Sequence, residues 1–458
     1  MLELSGGVLN IIGDDRPNVL EIAQRSNGEV EVRGDGERHS FAGVDKIFAR
    51  TGGGDDQISV KFTMFLADGT PVRSSLPLLD LDTGAGNDTT RIDDDGLITF
   101  RDLNDVRSVA DIQIDLGTGG DYLRASLNNH HQVSLDVFSA DGDDVVAFAG
   151  SNDGYRDVYM DDPLPPWCEI TLDFAGGGNQ VDVNTRDFGG AALHLKALGG
   201  NNVVKHELGH SLGFRHEHTR PETTVHADIM LAGDGNEVVF NTRGYEDVVL
   251  DLDLTGNSNT VAIGLLLPAV QKVREAAARL DLDVGGGSFV DVRLENIDNV
   301  DLSLVSASAS PEPVTGGAIN VYWHVITNGS AHVGRYDEVV ILHTSIPGGA
   351  AGDADMYVRF GCKPTTSSSS VDAQIITGAA DDTVSVLTRN VADLELDLNT
   401  GSGDDDVTVH HQPQPWFQAG PAPLNHSVSI DTGNGDDKVV VNARIKPLFV
   451  FGVEIPDP

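Results

Sequence analysis

Short runs of alternating apolar and polar residues fill most of the chain, and each run ends at a turn rich in glycine, asparagine and aspartate. After the turn GGGDD, for example, Ile58 and Val60 alternate with Ser59 and Lys61. Alternation with a period of two predicts β-strands that bury one face, and Gly/Asn/Asp clusters predict the turns between them. The pattern therefore predicts an all-β protein.

The glycine-rich turn recurs along the chain, and a β run follows each copy. Clear copies begin at Gly52, Gly84, Gly117, Gly378, Gly401 and Gly433, and weaker copies begin near Ala140, Gly176, Leu198, Gly233, Gly256 and Gly285. Most successive copies begin about 23 or about 33 residues apart. One rung per repeat, with a longer loop in the longer version, predicts a repeat array of the β-solenoid type.

Four stretches depart from this pattern, and two of them predict short helical insertions. In one of these, Leu266, Val270, Val273 and Ala277 share a face at helical spacing. The gap between Gly285 and Gly378 has room for a small inserted domain or about three degenerate rungs. The predicted organisation is an N-terminal β segment or cap (1–50), a β-repeat region (51–303) with insertions at 205–230 and 263–280, an inserted β segment (304–370) and C-terminal β-repeats (371–458).

Acidic residues dominate the charge, with 71 Asp and Glu against 30 Lys and Arg, a formal net charge of −41. This balance argues against nucleic acid as a partner and favours divalent cations, calcium first. The chain as given has no apolar run long enough to span a membrane and no signal peptide at its start. Its two cysteines, Cys168 and Cys362, are too few for a disulfide framework.

One stretch carries metal-ligand spacing. Residues 205–222 read KHELGHSLGFRHEHTRPE, which contains HExxHxxGxxH as His206, Glu207, His210, Gly213 and His216. On a helix, His206 and His210 lie one turn apart on the same face and can share a zinc ion, and a helix end at Gly213 lets His216 return as a third ligand. This zinc motif leaves one coordination position open for a water with a pKa of about 7, and Glu207 is placed to accept its proton. The predicted reaction is peptide-bond hydrolysis.

The zinc motif resembles the metzincin metalloproteases, and above all the astacin type, because Phe214, Glu217 and Arg220 also match HExxHxxGFxHExxR. The resemblance implies zinc as cofactor, a protein or peptide as substrate, Glu207 as general base and three zinc ligands, His206, His210 and His216. It also makes Met230, 14 residues after His216, the candidate for the Met-turn beneath the metal.

The surroundings of the zinc motif leave a second interpretation open. Glycine-rich β turns precede it, and the run Gly199 to Asn202 allows its helix only a few residues before His206. The segment is then a helical insertion in a solenoid whose histidines bind metal adventitiously or not at all.

The turns themselves resemble the calcium-binding nonapeptide GGxGxDxUx of RTX proteins. The fifth turn position carries the candidate calcium ligands Asp56, Asp88, Asp121, Asp144, Asp382, Asp405 and Asp437. In the middle of the chain the same count gives Gln180, Asn202, Glu237, Thr260 and Phe289. RTX arrays repeat every nine residues, whereas these turns are farther apart, so a purely structural role as Asx-turns is the alternative.

Further short resemblances point to secreted bacterial proteins. The opening GGVLNIIGDDRPNVLEI resembles bacterial surface proteins, INVYWHVITNG resembles pappalysin-like proteases and GDADMYVRFG resembles the bacterial pre-peptidase C-terminal domain. They imply an extracellular or cell-surface location. The sequence thus supports two hypotheses, a zinc metalloendopeptidase and a non-enzymatic, calcium-stabilised repeat or adhesive protein.

Overall fold

The computed structural model is all-β. It describes residues 1–25, 28–34, 36–63, 78–95, 109–152, 166–209, 223–245, 247–266, 277–284, 288–297, 299–305, 319–327, 338–345, 354–362, 369–377, 381–391, 393–413, 426–443 and 449–450. The chain divides into two compact units, Met1–Ile229 and Met230–Pro458. Among the described residues, no helix is long and apolar enough to cross a bilayer.

The first eighteen strands run from the N-terminus to the boundary between the units. They are β1 Leu2–Ser5, β2 Val8–Ile12, β3 Val19–Gln24, β4 Val30–Gly34, β5 Glu37–Phe41, β6 Lys46–Arg50, β7 Gln57–Thr63, β8 Leu78–Asp82, β9 Thr89–Asp95, β10 Val109–Asp115, β11 Tyr122–Asn128, β12 Gln132–Ser139, β13 Val145–Ser151, β14 Trp167–Phe174, β15 Gln180–Arg186, β16 Gly190–Ala197, β17 Val203–Gly209 and β18 Thr224–Leu231.

The remaining sixteen strands belong to the second unit. They are β19 Glu237–Arg243, β20 Asp247–Leu254, β21 Thr260–Leu266, β22 Ala277–Val284, β23 Phe289–Ile297, β24 Asn299–Val305, β25 Ile319–Thr327, β26 Glu338–Ser345, β27 Ala354–Cys362, β28 Ser369–Ile376, β29 Thr383–Val391, β30 Asp393–Asn399, β31 Asp406–Pro413, β32 His426–Asp431, β33 Lys438–Ala443 and β34 Phe449–Val450.

Each rung places one strand in each of two parallel sheets. Thus β10 pairs with β12, where Ile112 lies beside Leu135, and β11 pairs with β13, where Ala125 lies beside Phe148. These four side chains are buried, because alternate residues of these strands face the interior. At the N-terminus, β1 pairs antiparallel with β2, and β4 pairs antiparallel with β3 and β5, while β2 and β3 also pair in parallel with β6 and β7. The all-β repeat array predicted from the sequence is confirmed.

Two kinds of connection between strands account for the two repeat lengths. The glycine-rich turn leads from a strand of one sheet to a strand of the other, as from β10 to β11. The return is short after β11, which ends at Asn128 before β12 begins at Gln132. Between β9 and β10 it covers 96–108, which lie outside the described residues. A longer return therefore lengthens the repeat without changing the rung.

Stacked turns explain why glycine recurs at the first turn position. Gly84 has φ +89°, and a Cβ there would lie 1.7 Å from the carbonyl oxygen of Gly52 in the preceding rung. Its neighbour Ala85 donates its N–H to that same oxygen at 3.0 Å. Both the left-handed backbone and the close approach of the two chains exclude a side chain at this position.

The two helical insertions are not seen, and their described parts are strands. Residues 205–209 belong to β17 and 224–230 to β18, while 210–222 lie outside the described residues. Likewise 263–266 belong to β21 and 277–280 to β22, with 267–276 outside them. The helical prediction was wrong for the described parts because the same letters also alternate with a period of two, and pairing with neighbouring rungs stabilises the strand.

The stretch 304–370 contains strands that continue the array. Strand β25 pairs in parallel with β23 and β27, and β26 pairs in parallel with β24 and β28.

Candidate zinc site and the aspartate ladders

Strand β17 carries the first two residues of the zinc motif. Buried and exposed residues alternate along it, so that Val204, His206 and Leu208 face the interior while Lys205 and Glu207 face outward. Consecutive side chains of a strand project from opposite faces. In the described structure, the side chains of His206 and Glu207 therefore lie on opposite faces of the strand, whereas a metzincin site requires both beside the metal.

His206 occupies a core position of its sheet. Its backbone lies beside Val183 of β15, which in turn lies beside Phe148 of β13, and only 1% of His206 is exposed. Burial lowers the pKa of His206 to about 3, because a charged imidazolium is disfavoured in an apolar interior. The ring is neutral at pH 7, the protonation state that binds zinc, but it lies inside the array.

The other residues of the predicted site either lie outside the described residues or face away from the interior. His210 and His216, together with Gly213, fall in 210–222, outside the described residues. Met230, the candidate for the Met-turn, lies on the outer face of β18 and is 43% exposed. Within the described ranges, no group of three or more His, Cys, Asp or Glu is arranged to hold a metal ion.

The aspartates at the fifth turn position form a hydrogen-bonded column, here called the inner ladder. The backbone N–H of Asp56 donates to Oδ1 of Asp88 at 2.7 Å, that of Asp88 donates to Asp121 at 2.7 Å, and that of Asp121 donates to Asp144 at 2.9 Å. In the second unit the same bond runs from Asp382 to Asp405 at 2.9 Å, and from Asp405 to Asp437 at 3.1 Å.

Asparagines continue the inner ladder where aspartates are absent. The N–H of Asp144 donates to Oδ1 of Asn179, and the N–H of Asn179 donates to Oδ1 of Asn202, both at 3.1 Å. In the second unit, Asn236 donates to Asn259 at 3.0 Å and Asn259 donates to Oγ of Ser288 at 3.3 Å.

In four of these middle turns, the fifth position counted from the sequence was therefore wrong by one residue. The ladder residues are Asn179, Asn236, Asn259 and Ser288, each one position before Gln180, Glu237, Thr260 and Phe289. The signal was available in the sequence, because an asparagine or serine stands directly before each β run, and these residues supply the same short oxygen acceptor.

A second column, the outer ladder, runs along the fourth turn position in the opposite direction. The N–H of Asn87 donates to Oδ1 of Asp55, and the N–H of Gly120 donates to Oδ1 of Asn87, both at 2.9 Å. In the second unit, Asp404 donates to Asp381 at 2.8 Å and Asp436 donates to Asp404 at 2.9 Å. This role was not predicted from the sequence, although the doubled Asp-Asp of several turns is its signature.

Burial shapes the electrostatics of the inner ladder. Desolvation raises the pKa of Asp88, Asp144 and Asp405 above the ordinary value. It raises the pKa of Asp121 to about 7, and the charges of Asp88 and Asp144 on either side add to the rise. The Oδ1 atoms of Asp88, Asp121, Asp144, Asp405 and Asp437 each accept a backbone N–H, so the ladders can hold these rungs together without a metal ion.

Comparison with known proteins gives one match. The family model described as Astacin, a peptidase family, matches residues 197–245, about a tenth of the chain. No curated protein and no solved structure matches the chain. The matched segment holds β17, β18 and the zinc motif, so a metzincin-type motif lies within the β-repeat array.

Proposed function

We propose that the protein is a zinc-dependent metalloendopeptidase in which His206, His210 and His216 hold the metal and Glu207 is the general base. The observation that carries the proposal is the HExxHxxGxxH spacing inside the segment that the astacin family model matches. Zinc in such a site supplies an activated water and polarises the peptide carbonyl.

The strand conformation of β17 does not fit such a site. His206 faces the interior and Glu207 the exterior, so a metal-bound form requires the end of β17 to leave its sheet. The proposal therefore couples zinc binding to a local rearrangement that starts near His206.

The approximate free energies of the interactions lost and gained allow this rearrangement. Freeing residues 206–209 breaks a few backbone hydrogen bonds between β17 and β15, each worth about 1 kcal/mol. It also exposes Leu208, at a cost of about 2 kcal/mol. Structural zinc sites in small peptides contribute about 10–16 kcal/mol at pH 7. Zinc held by three histidines would offset the loss.

Metal content and hydrolysis test the proposal together. We expect the wild type to bind close to one zinc per chain more than a His206→Ala/His210→Ala double variant binds. Glu207→Gln should abolish peptide hydrolysis and keep the zinc, because Glu207 is not a ligand. The matched control is Glu237→Gln, which alters an exposed glutamate at the start of β19.

Hydrogen exchange tests the rearrangement itself. Zinc should speed exchange at the amides of residues 206–209 and at their β15 partners, while the pairing of β11 with β13 keeps its protection. Zinc bound without faster exchange at β17 would contradict the coupling, and hydrolysis that survives Glu207→Gln would contradict the assigned base.

A non-enzymatic repeat protein is the second candidate, and the position of His206 favours it. His206 lies beside Val183 in a buried strand, and Glu207 lies on the opposite face, so His206 here has the role of a packed core residue. Within each unit, hydrogen bonds of the two ladders also join several successive rungs without a metal. If wild-type protein binds no more zinc than the double histidine variant, this candidate replaces the peptidase.

A further inference from the structure

Two histidines meet in the second unit, far along the sequence from the zinc motif. His411 lies near the end of β31 and faces the interior, with 2% of its surface exposed. His426 is the first residue of β32 and is half-buried. Their ring centroids are 4.5 Å apart, with the ring planes inclined at 53°.

In some other rungs, apolar side chains occupy the positions of this pair. In its own sheet, His411 lies beside Thr388, and Thr388 lies beside the buried Phe360. In the other sheet, His426 lies beside the buried Leu394. Polar side chains from the two sheets therefore come together at one corner of the array.

Thr388 fixes the orientation of the His411 ring. Its Oγ1 is hydrogen-bonded to Nδ1 of His411, and both side chains are buried. The opposite nitrogen of the ring, Nε2, has no hydrogen-bond partner in the described part of the chain. When Nδ1 donates to the threonine oxygen, Nε2 presents a lone pair, and this is the arrangement by which proteins orient a metal-binding histidine.

The protonation state also suits a metal ligand. Burial lowers the pKa of His411 to about 4, and the charge of His426 acts in the same direction. The ring is therefore neutral at pH 7 and does not need to lose a proton before it binds a cation. Neutral imidazoles select zinc, copper or nickel, whereas calcium and magnesium require oxygen ligands.

We propose that His411 and His426 bind one transition-metal ion, with Thr388 as the positioning residue. Two imidazoles on one zinc, with Zn–N bonds of about 2.1 Å, have ring centres about 5 Å apart, close to the observed separation. The remaining coordination positions are filled by water, which reaches the site past the half-buried His426. The site is independent of the zinc motif and of the proposed peptidase.

The test uses the full chain, with two histidines of the zinc motif replaced by alanine. In a His206→Ala/His210→Ala background stripped of metal, calorimetric titration with zinc chloride should show one ion per chain. His426→Gln should weaken binding by about tenfold or more, and Thr388→Val, which keeps the side-chain shape, by about 10–100-fold. The matched control is His410→Gln, because His410 neighbours His411 in sequence but is exposed. It should leave the affinity within about twofold.

The result that overturns the proposal is equal zinc affinity in His426→Gln and His410→Gln. A second arm examines the exposed cluster in which Nδ1 of His194 lies 3.9 Å from Oδ2 of Asp228 and the His194 ring lies 5.9 Å from that of His226. Loss of binding in His194→Gln would place the ion there and also overturn the proposal. His411→Ala is not needed for the test, because loss of this buried side chain puts the fold at risk. His426 is only half-buried and can be replaced with less risk to the fold.

Discussion

At the residue scale, burial of a single carboxylate makes the stability of the protein depend on pH. Asp121 is 1% exposed, and its Oδ1 accepts the N–H of Asp88. Burial and the neighbouring carboxylates raise its pKa from 3.8 to about 7. Asn179 occupies the equivalent place farther along the inner ladder and makes the same bond without a charge.

We expect Asp121→Asn to stabilise the protein at pH 8. Between pH 4 and pH 7 the folded state binds more protons at Asp121 than the unfolded state, so the free energy of unfolding falls as the pH rises through this window. Asparagine keeps the ladder acceptor and removes the titration. Thermal melts in metal-free buffer should show a Tm roughly 2 °C or more above wild type at pH 8, with a flatter dependence on pH.

The exposed Asp182, on the outer face of β15, supplies the matched control Asp182→Asn, whose Tm should follow that of the wild type at each pH. A lower Tm for Asp121→Asn at pH 8 would mean that the carboxylate charge itself holds the turn together.

At the scale of the element, the turns restrict the sequence more strictly than the strands do. Gly84 and Gly36 both have positive φ, +89° and +82° respectively. A Cβ at Gly84 would lie 1.7 Å from the oxygen of Gly52, whereas a Cβ at Gly36 has no atom within 4 Å. The two positions therefore separate backbone strain from stacking.

We expect Gly36→Ala to cost about 1–2 kcal/mol, the price of a left-handed backbone alone. Gly84→Ala should cost about 4 kcal/mol or more, because two rungs must also move apart. Urea unfolding of both variants measures the difference. Equal losses would show that neighbouring turns are not stacked as closely as described.

The strands could be predicted from the sequence, but the conformation of the zinc motif could not. Alternation at Ile112 and Ile114 has one interpretation, a strand with one buried face. Val204, His206 and Leu208 alternate in the same way, yet His206 and Glu207 also begin a helical metal motif. Two local patterns fit the same letters, and pairing with β15 decides between them for residues 203–209. Such long-range pairing is not visible in a single sequence.

The candidate sites show the same limit. Carboxylates at the fifth turn position suggested calcium ligands from composition and spacing alone. The direction of their Oδ1 atoms, toward the N–H of the preceding rung, depends on how the turns stack. The pair of His411 and His426 was invisible for the same reason, since the topology brings together residues on strands of different sheets.

At the scale of the whole molecule, the fold must withstand electrostatic repulsion, because the chain has a net charge of −41 and its turns are repeatedly acidic. The inner ladder buries some of these charges, while the outer ladder leaves others exposed. Cations can stabilise such a molecule in two ways. They can screen the charges without binding, or they can bind the folded state at defined sites, which adds RT ln(1 + [L]/Kd) to its stability.

Calcium and sodium chloride at matched ionic strength separate these two effects. The Oδ1 atoms of Asp405 and Asp437 each accept a backbone N–H, so we expect the two salts to raise the Tm equally. The double variant Asp405→Asn/Asp437→Asn keeps both acceptors and removes two charges, so its Tm at low salt should exceed that of the wild type and its response to either salt should be smaller. A larger rise with millimolar calcium that disappears in this variant would instead identify Asp405 and Asp437 as calcium ligands. Zinc-dependent hydrolysis should be the same in the variant and the wild type, because the zinc motif lies in other rungs.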